Sequence, residues 1–125
     1  MTSPDADDGA RRADELLHLL AAGSPDAVEG FLAGLTGTRE MVFLGAALTT
    51  VARSEGRRLP PAQRAQANTR QMNLGALRDT ARADPAGLRL WLRRAAEEVL
   101  FLRSLQAAAE ARVAADEAPR AETGQ

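Results

Sequence analysis

The sequence predicts an all-α protein, a compact bundle of about five helices with a long C-terminal helix. Three observations lead there. Apolar residues recur at i, i+3, i+4 and i+7 in successive segments. Helix-opening signals, Ser24-Pro25-Asp26 and Asp84-Pro85, punctuate the chain. The apolar residues are mainly Ala, Leu and Val, with no Ile, no Tyr and few aromatics (Phe31, Phe43, Phe101 and Trp91). That composition suits aliphatic helix packing better than strands.

At 125 residues the chain has the size of one domain. Residues 10–116 are expected to form it. Met1 to Gly9, with Asp5, Asp7 and Asp8, reads as a disordered acidic arm, and 117–125 as a disordered polar tail.

The first helix is expected from Ala10 to Ala22, with Ala13, Leu16, Leu17 and Leu20 as its stripe and Gly23 as a left-handed stop. Ser24 caps the second helix, Pro25 takes its first position and Asp26 its positive dipole end. Val28, Phe31, Leu32 and Leu35 form the apolar stripe there. Gly37 closes this segment and Thr38 is placed to cap the next. The third helix, Arg39 to Glu55, carries Met41, Val42, Phe43, Leu44, Ala46, Ala47, Leu48 and Val51 on nearly every side. A helix apolar all round is buried all round, so it is expected at the centre.

Pro60 and Pro61 set a loop before a fourth helix, Pro61 to Ala83. Arg64, Asn68, Gln71, Gly75, Arg78 and Arg82 share one face of it, read as solvated. Two apolar stripes remain: Ala62, Ala65, Thr69, Met72 and Ala76, and Ala67, Leu74, Leu77 and Ala81. Between them lie Gln66, Arg70 and Asn73. If both stripes are packed, these three side chains lie in or beside the interior and need partners. The fifth helix, from Pro85 to about Ala115, would be roughly 45 Å long at 1.5 Å per residue. Leu88, Leu92, Ala95, Val99, Leu102, Gln106, Ala109 and Val113 are spaced alternately 4 and 3 along it, a heptad seam.

Several chemistries are excluded by composition. Without Cys there is no disulfide, thiolate ligand or cysteine nucleophile, and without Lys no Schiff base or P-loop lysine. His18, the single histidine, has only Asp14 and Glu15 nearby on its helix, too few ligands for a metal. No cofactor is called for, and no acid, base and nucleophile set marks an enzyme. Glu97 and Glu98 follow Arg93 and Arg94 by four residues and are expected to pair with them. The acidic start lacks the pattern of a signal peptide, and the longest apolar run, Met41 to Leu48, is too short for a bilayer. A cytoplasmic protein from a GC-rich bacterial genome is expected.

Charge is unevenly placed around a net of −1. Residues 1–35 carry −5, residues 51–94 carry +7 and residues 95–125 carry −3. The basic middle is expected to pair with the acidic ends, within or between chains. The leading expectation is therefore a non-enzymatic interaction or accessory protein acting as a homodimer, with Leu88, Leu92, Val99 and Leu102 at the interface. One alternative is a small-molecule binding module with a pocket between helices three to five, lined by Arg70, Asn73, Gln66, Trp91 and Glu98 and suited to a polar or anionic ligand. Another is weak nucleic-acid or anion binding through Arg53, Arg57, Arg58, Arg64, Arg78, Arg82, Arg89, Arg93 and Arg94. The absence of Lys, the scarcity of aromatics and a pI near 5.8 weigh against nucleic acid.

Overall fold

The computed structural model describes residues 3–82 and 84–117. Five helices follow in order: α1 (Pro4–Ala21), α2 (Pro25–Ala33), α3 (Thr38–Arg57), α4 (Pro61–Thr80) and α5 (Pro85–Glu117). The expected helical bundle with a long last helix is what the chain forms. No helix among the described residues is long and apolar enough to cross a membrane.

α1 begins at Pro4, six residues earlier than expected, so residues 4–9 are helix and not a disordered arm. The cause is local. Ser3-Pro4-Asp5 repeats the signature at Ser24-Pro25-Asp26, and the Ser3 hydroxyl accepts from the Ala6 N–H at 3.1 Å. Asp5 also reaches Arg39, whose Nη2 lies 2.6 Å away. Gly9 packs so closely on α3 that a Cβ there would sit 2.6 Å from the Phe43 carbonyl oxygen. The expected tail falls at Glu117, the last residue of α5, and at 118–125, which lie outside the described residues.

The turns follow their residues. Gly23 adopts φ +75° and stops α1 as predicted. Before α3, however, the N-cap is Gly37 rather than Thr38. Glycine has no side chain to cap with, so Glu40 reaches back and accepts from the Thr36 and Gly37 N–H groups at 2.8 and 3.2 Å. Arg12 of α1 donates to the same carboxylate at 2.7 Å. Asp84 caps α5, accepting from the Ala86 N–H at 3.1 Å.

α1, α3 and α5 form the core layer. Leu16, Met41, Leu44, Leu48, Leu92, Val99 and Leu102 are fully buried within it. Gly45 lets α5 approach, because any side chain there would run into the Trp91 ring. Farther along, Gln106 of α5 donates to the Glu55 carbonyl at 2.8 Å and to its carboxylate at 2.7 Å, tying α3 to α5.

α3 is central but not buried all round. Val42 is 49% exposed, and Ala46, Thr50 and Arg53 continue an outward row. The helix is flanked on three sides by α1, α5 and α4, which leaves the fourth to solvent. The heptad seam of α5 also has a different meaning from the one expected. Leu88, Leu92, Val99 and Leu102 are buried in this chain's own core and offer no surface to a second copy. A seam of α5 faces α1 and α3 because the bundle itself supplies the partner helices. The outer turns of α5 beyond Gln106 stand largely exposed, with Val113 uncovered.

α4 lies over α3 and α5 and contributes little to the core: Ala67 is its one buried residue, with Leu74 and Leu77 half-buried. The stripe of Ala62, Ala65, Thr69, Met72 and Ala76 points to solvent, Met72 being 75% exposed. The face read as solvated is in part turned inward, since Gln71 and Gly75 are half-buried. Leucines decide which side of α4 packs: burying Leu74 and Leu77 is worth more than burying alanines.

Candidate functional site

The three polar residues expected between two packed stripes behave differently, because only one stripe packs. Gln66 and Asn73 are exposed, while Arg70 crosses to α5. Its Nε lies 2.8 and 2.9 Å from the two Glu98 carboxylate oxygens, and Nη2 lies 2.7 Å from Oε1. The guanidinium carbon also sits 4.2 Å from the centre of the Phe101 ring. Glu98 is 5% exposed, whereas the Arg70 side chain is 42% exposed. A buried carboxylate is thus neutralised by a cation that still reaches water. The hydrogen bond to Glu98 raises the Arg70 pKa above its ordinary value, against the opposing effect of burial.

This pairing replaces the expected Arg94–Glu98 contact. Glu98 faces α4 rather than its own helix, and only the Arg93–Glu97 pair forms, at 3.8 Å. Arg93 also pairs with Glu29 of α2. The periodicity of α5 places Glu98 beside Ala95 and Leu102, on its inward side, which is why an α4 arginine is within reach.

Two cavities flank α4. On one side a groove of about 580 Å³ runs between α4 and α5. Its floor is Leu74, Leu77, Leu90 and Phe101, and its polar wall is Arg70, Asn73, Arg94, Glu97 and Glu98. On the other side a narrower cavity of about 190 Å³ lies between α3, α4 and α5 and contains Trp91. The expected pocket residues are therefore divided. Arg70, Asn73 and Glu98 share the groove, Trp91 lines the other cavity, and Gln66 lines neither.

The basic residues divide as well. Arg78 and Arg82 pair with Asp79, and Arg89 donates to the Leu35 carbonyl at 2.9 Å to hold the α2–α3 loop. Among the described residues, no carboxylate lies within 4 Å of Arg53, Arg57, Arg58, Arg64 or Arg94. The acidic ends thus neutralise only part of the basic middle. His18 is exposed in the last turn of α1, and no cluster of metal-ligating residues occurs among the described residues. Comparison with protein families, curated proteins and solved structures gave no match.

Proposed function

We propose that the protein is a non-enzymatic interaction module whose α4–α5 groove receives an amphipathic helix of an acidic partner. One observation carries the reading: the groove has a leucine and phenylalanine floor that the described residues leave partly uncovered, with Leu90 44% exposed. From Leu90 to Phe101 the α5 wall spans about 16 Å, or about three helical turns, which matches a short helix laid in a groove. Charge selects the partner's sign. Among the described residues Arg94, at the wall, has no carboxylate within 4 Å, and residues 51–94 carry +7. An acidic side chain opposite Arg94 completes the contact, and the rest of the basic surface speeds encounter.

A designed acidic peptide with leucines at i, i+3, i+4 and i+7 is a direct probe, titrated into isotope-labelled protein and followed by NMR. Saturable shifts of Leu74, Leu77, Leu90 and Phe101 are expected. Leu90→Asp and Arg94→Glu should each weaken binding about tenfold or more, since one lost anchor is worth at least 1.4 kcal/mol. The reading is overturned if the groove signals move instead on concentrating the protein alone, move equally with duplex DNA, or do not move with the peptide.

A further inference from the structure

The last turns of α5 stand largely clear of the bundle. α3 ends at Arg57, and Gln106 of α5 is the residue that meets its final turns, through Glu55. From Ala107 to Glu117 the helix runs on for about 16 Å, or about three turns. Ala109 is half-buried and the other residues of that stretch are exposed. Most are alanine, which holds a helix without packing. Val113 is the exception: the one larger apolar side chain there, 55% exposed, and a poorer helix former than the alanines around it. It continues through Gln106 and Ala109 the same alternating spacing that buries Leu92, Val99 and Leu102 in the core.

Val113 borders an open cleft of about 540 Å³ between this overhang and the α3–α4 corner, with Pro60 at its base. The two ends of the cleft carry opposite charge. The Arg58 N–H and Gln106 Nε2 donate to the same Glu55 carbonyl, at 3.2 and 2.8 Å, which sets Arg58 at the base of the overhang. Glu117 lies at the tip, beside Asp116. Among the described residues, neither Arg58 nor Glu117 has an ion-pair partner within 4 Å. The last turn of α5 also holds no basic residue, so its two acids oppose the helix dipole.

We propose that the overhang is a dimerisation surface, on which the α5 overhang of a second copy lies antiparallel about a two-fold axis. An axis across its midpoint sets the Val113 side chain of each copy against the Ala109–Val113 stretch of the other. It also brings each Glu117 tip to the partner's Arg58. Charge selects a second copy as the occupant. The cleft holds both halves of an ion pair, one at each end, so two antiparallel copies satisfy both ends at once. A wholly acidic or wholly basic partner would match one end and oppose the other. Residues 118–125 offer no apolar side chain larger than proline to cover Val113. Three turns of helix make a small interface, so the dimer is weak and reversible. The proposal does not rest on the α4–α5 groove, which shares no lining residue with this cleft.

Sedimentation velocity across a wide range of protein concentration is the test. A reversible monomer–dimer equilibrium is expected. Val113→Gln should weaken it at least about tenfold, or 1.4 kcal/mol. Helix content should not fall, because Val113 is exposed in the monomer and glutamine is a good helix former. Arg58→Glu and Glu117→Arg should each weaken self-association several-fold, since each makes both ends of the dimer repulsive. An equimolar mixture of these two variants should recover it, because only the mixed pair places opposite charges at both ends. Concentrating the parent should move the Val113 methyl signals and leave those of Leu90 and Phe101 in place, which separates this test from that of the groove. A monomer at every concentration, a dimer indifferent to Val113→Gln, or a mixture no more associated than either variant alone would each overturn the proposal.

Discussion

The α1–α3–α5 layer and α4 are held by different means. In the layer, large aliphatic side chains are buried completely, from Leu16 through Leu44 and Leu48 to Leu92 and Leu102. α4 buries one alanine within its span, rests Leu74 and Leu77 half-buried on its neighbours, and is fastened by the Arg70–Glu98 pair. The two cavities described above lie at the edges of α4. Packing along α4 is incomplete, and the groove of the proposed function lies there.

The sharpest way to break this comparison is to cut the same amount of leucine from each region. Leu92→Ala empties a fully buried position and should cost about 2–5 kcal/mol, read from urea denaturation. Leu77→Ala removes a half-buried side chain beside an open groove and should cost about 1 kcal/mol, because its methyls are already partly wet. Equal losses would mean that α4 is as firmly packed as the layer beneath it.

The Arg70–Glu98 pair sharpens the comparison from the electrostatic side. Its two halves are not equivalent. Arg70→Met leaves a 5% exposed carboxylate without its cation and should cost about 2–3 kcal/mol. Glu98→Gln leaves an arginine that already reaches water, and should cost about 1 kcal/mol or less. The asymmetry is the test, measured by thermal or urea unfolding of both variants. If Glu98→Gln proves the more damaging, the pair is held by Arg70 packing on Phe101 rather than by relief of the buried charge.

The same contrast explains what could be read from the sequence. Where leucines recur on one face, as in α1 and α5, helix and buried stripe were both legible. Their partners were not: Leu92 and Val99 face α1 and α3, and the periodicity alone suits a second chain equally well. In α4 two weak stripes compete. Only the larger size of Leu74 and Leu77 against the alanines of the other stripe indicates which one packs. Arg70 and Glu98 stood out as polar residues within apolar stretches, but they lie 28 positions apart on different helices. Local spacing instead favoured Arg94 as the Glu98 partner. The start of α1 carries two opposed signals: a Ser-Pro-Asp opening identical to the one at Ser24, and three aspartates within Met1–Gly9 that suit a solvated arm.

The smallest expected effect belongs to the layer and is visible mainly in its dependence on pH. The backbone N–H groups of Gly37 and Thr36, with Arg12, hold the Glu40 pKa below its ordinary value of 4.5. The sign follows from linkage: a carboxyl group more acidic when folded stabilises the fold above its unfolded pKa. That stabilisation is lost as pH falls through the folded value. Glu40→Gln keeps an oxygen that accepts from the two N–H groups and loses the charge at the start of α3. It should be less stable than the parent by about 0.5–1 kcal/mol at pH 7, the usual worth of a charge at a helix N-terminus. The gap should stay constant down to about pH 5, narrow below 4.5, and close once Glu40 is protonated in the folded protein too. Comparing the two proteins by urea denaturation cancels the other carboxylates, which titrate in both. A gap that persists at low pH would assign Glu40 a packing role, and α3 would then be anchored to α1 by fit rather than by charge.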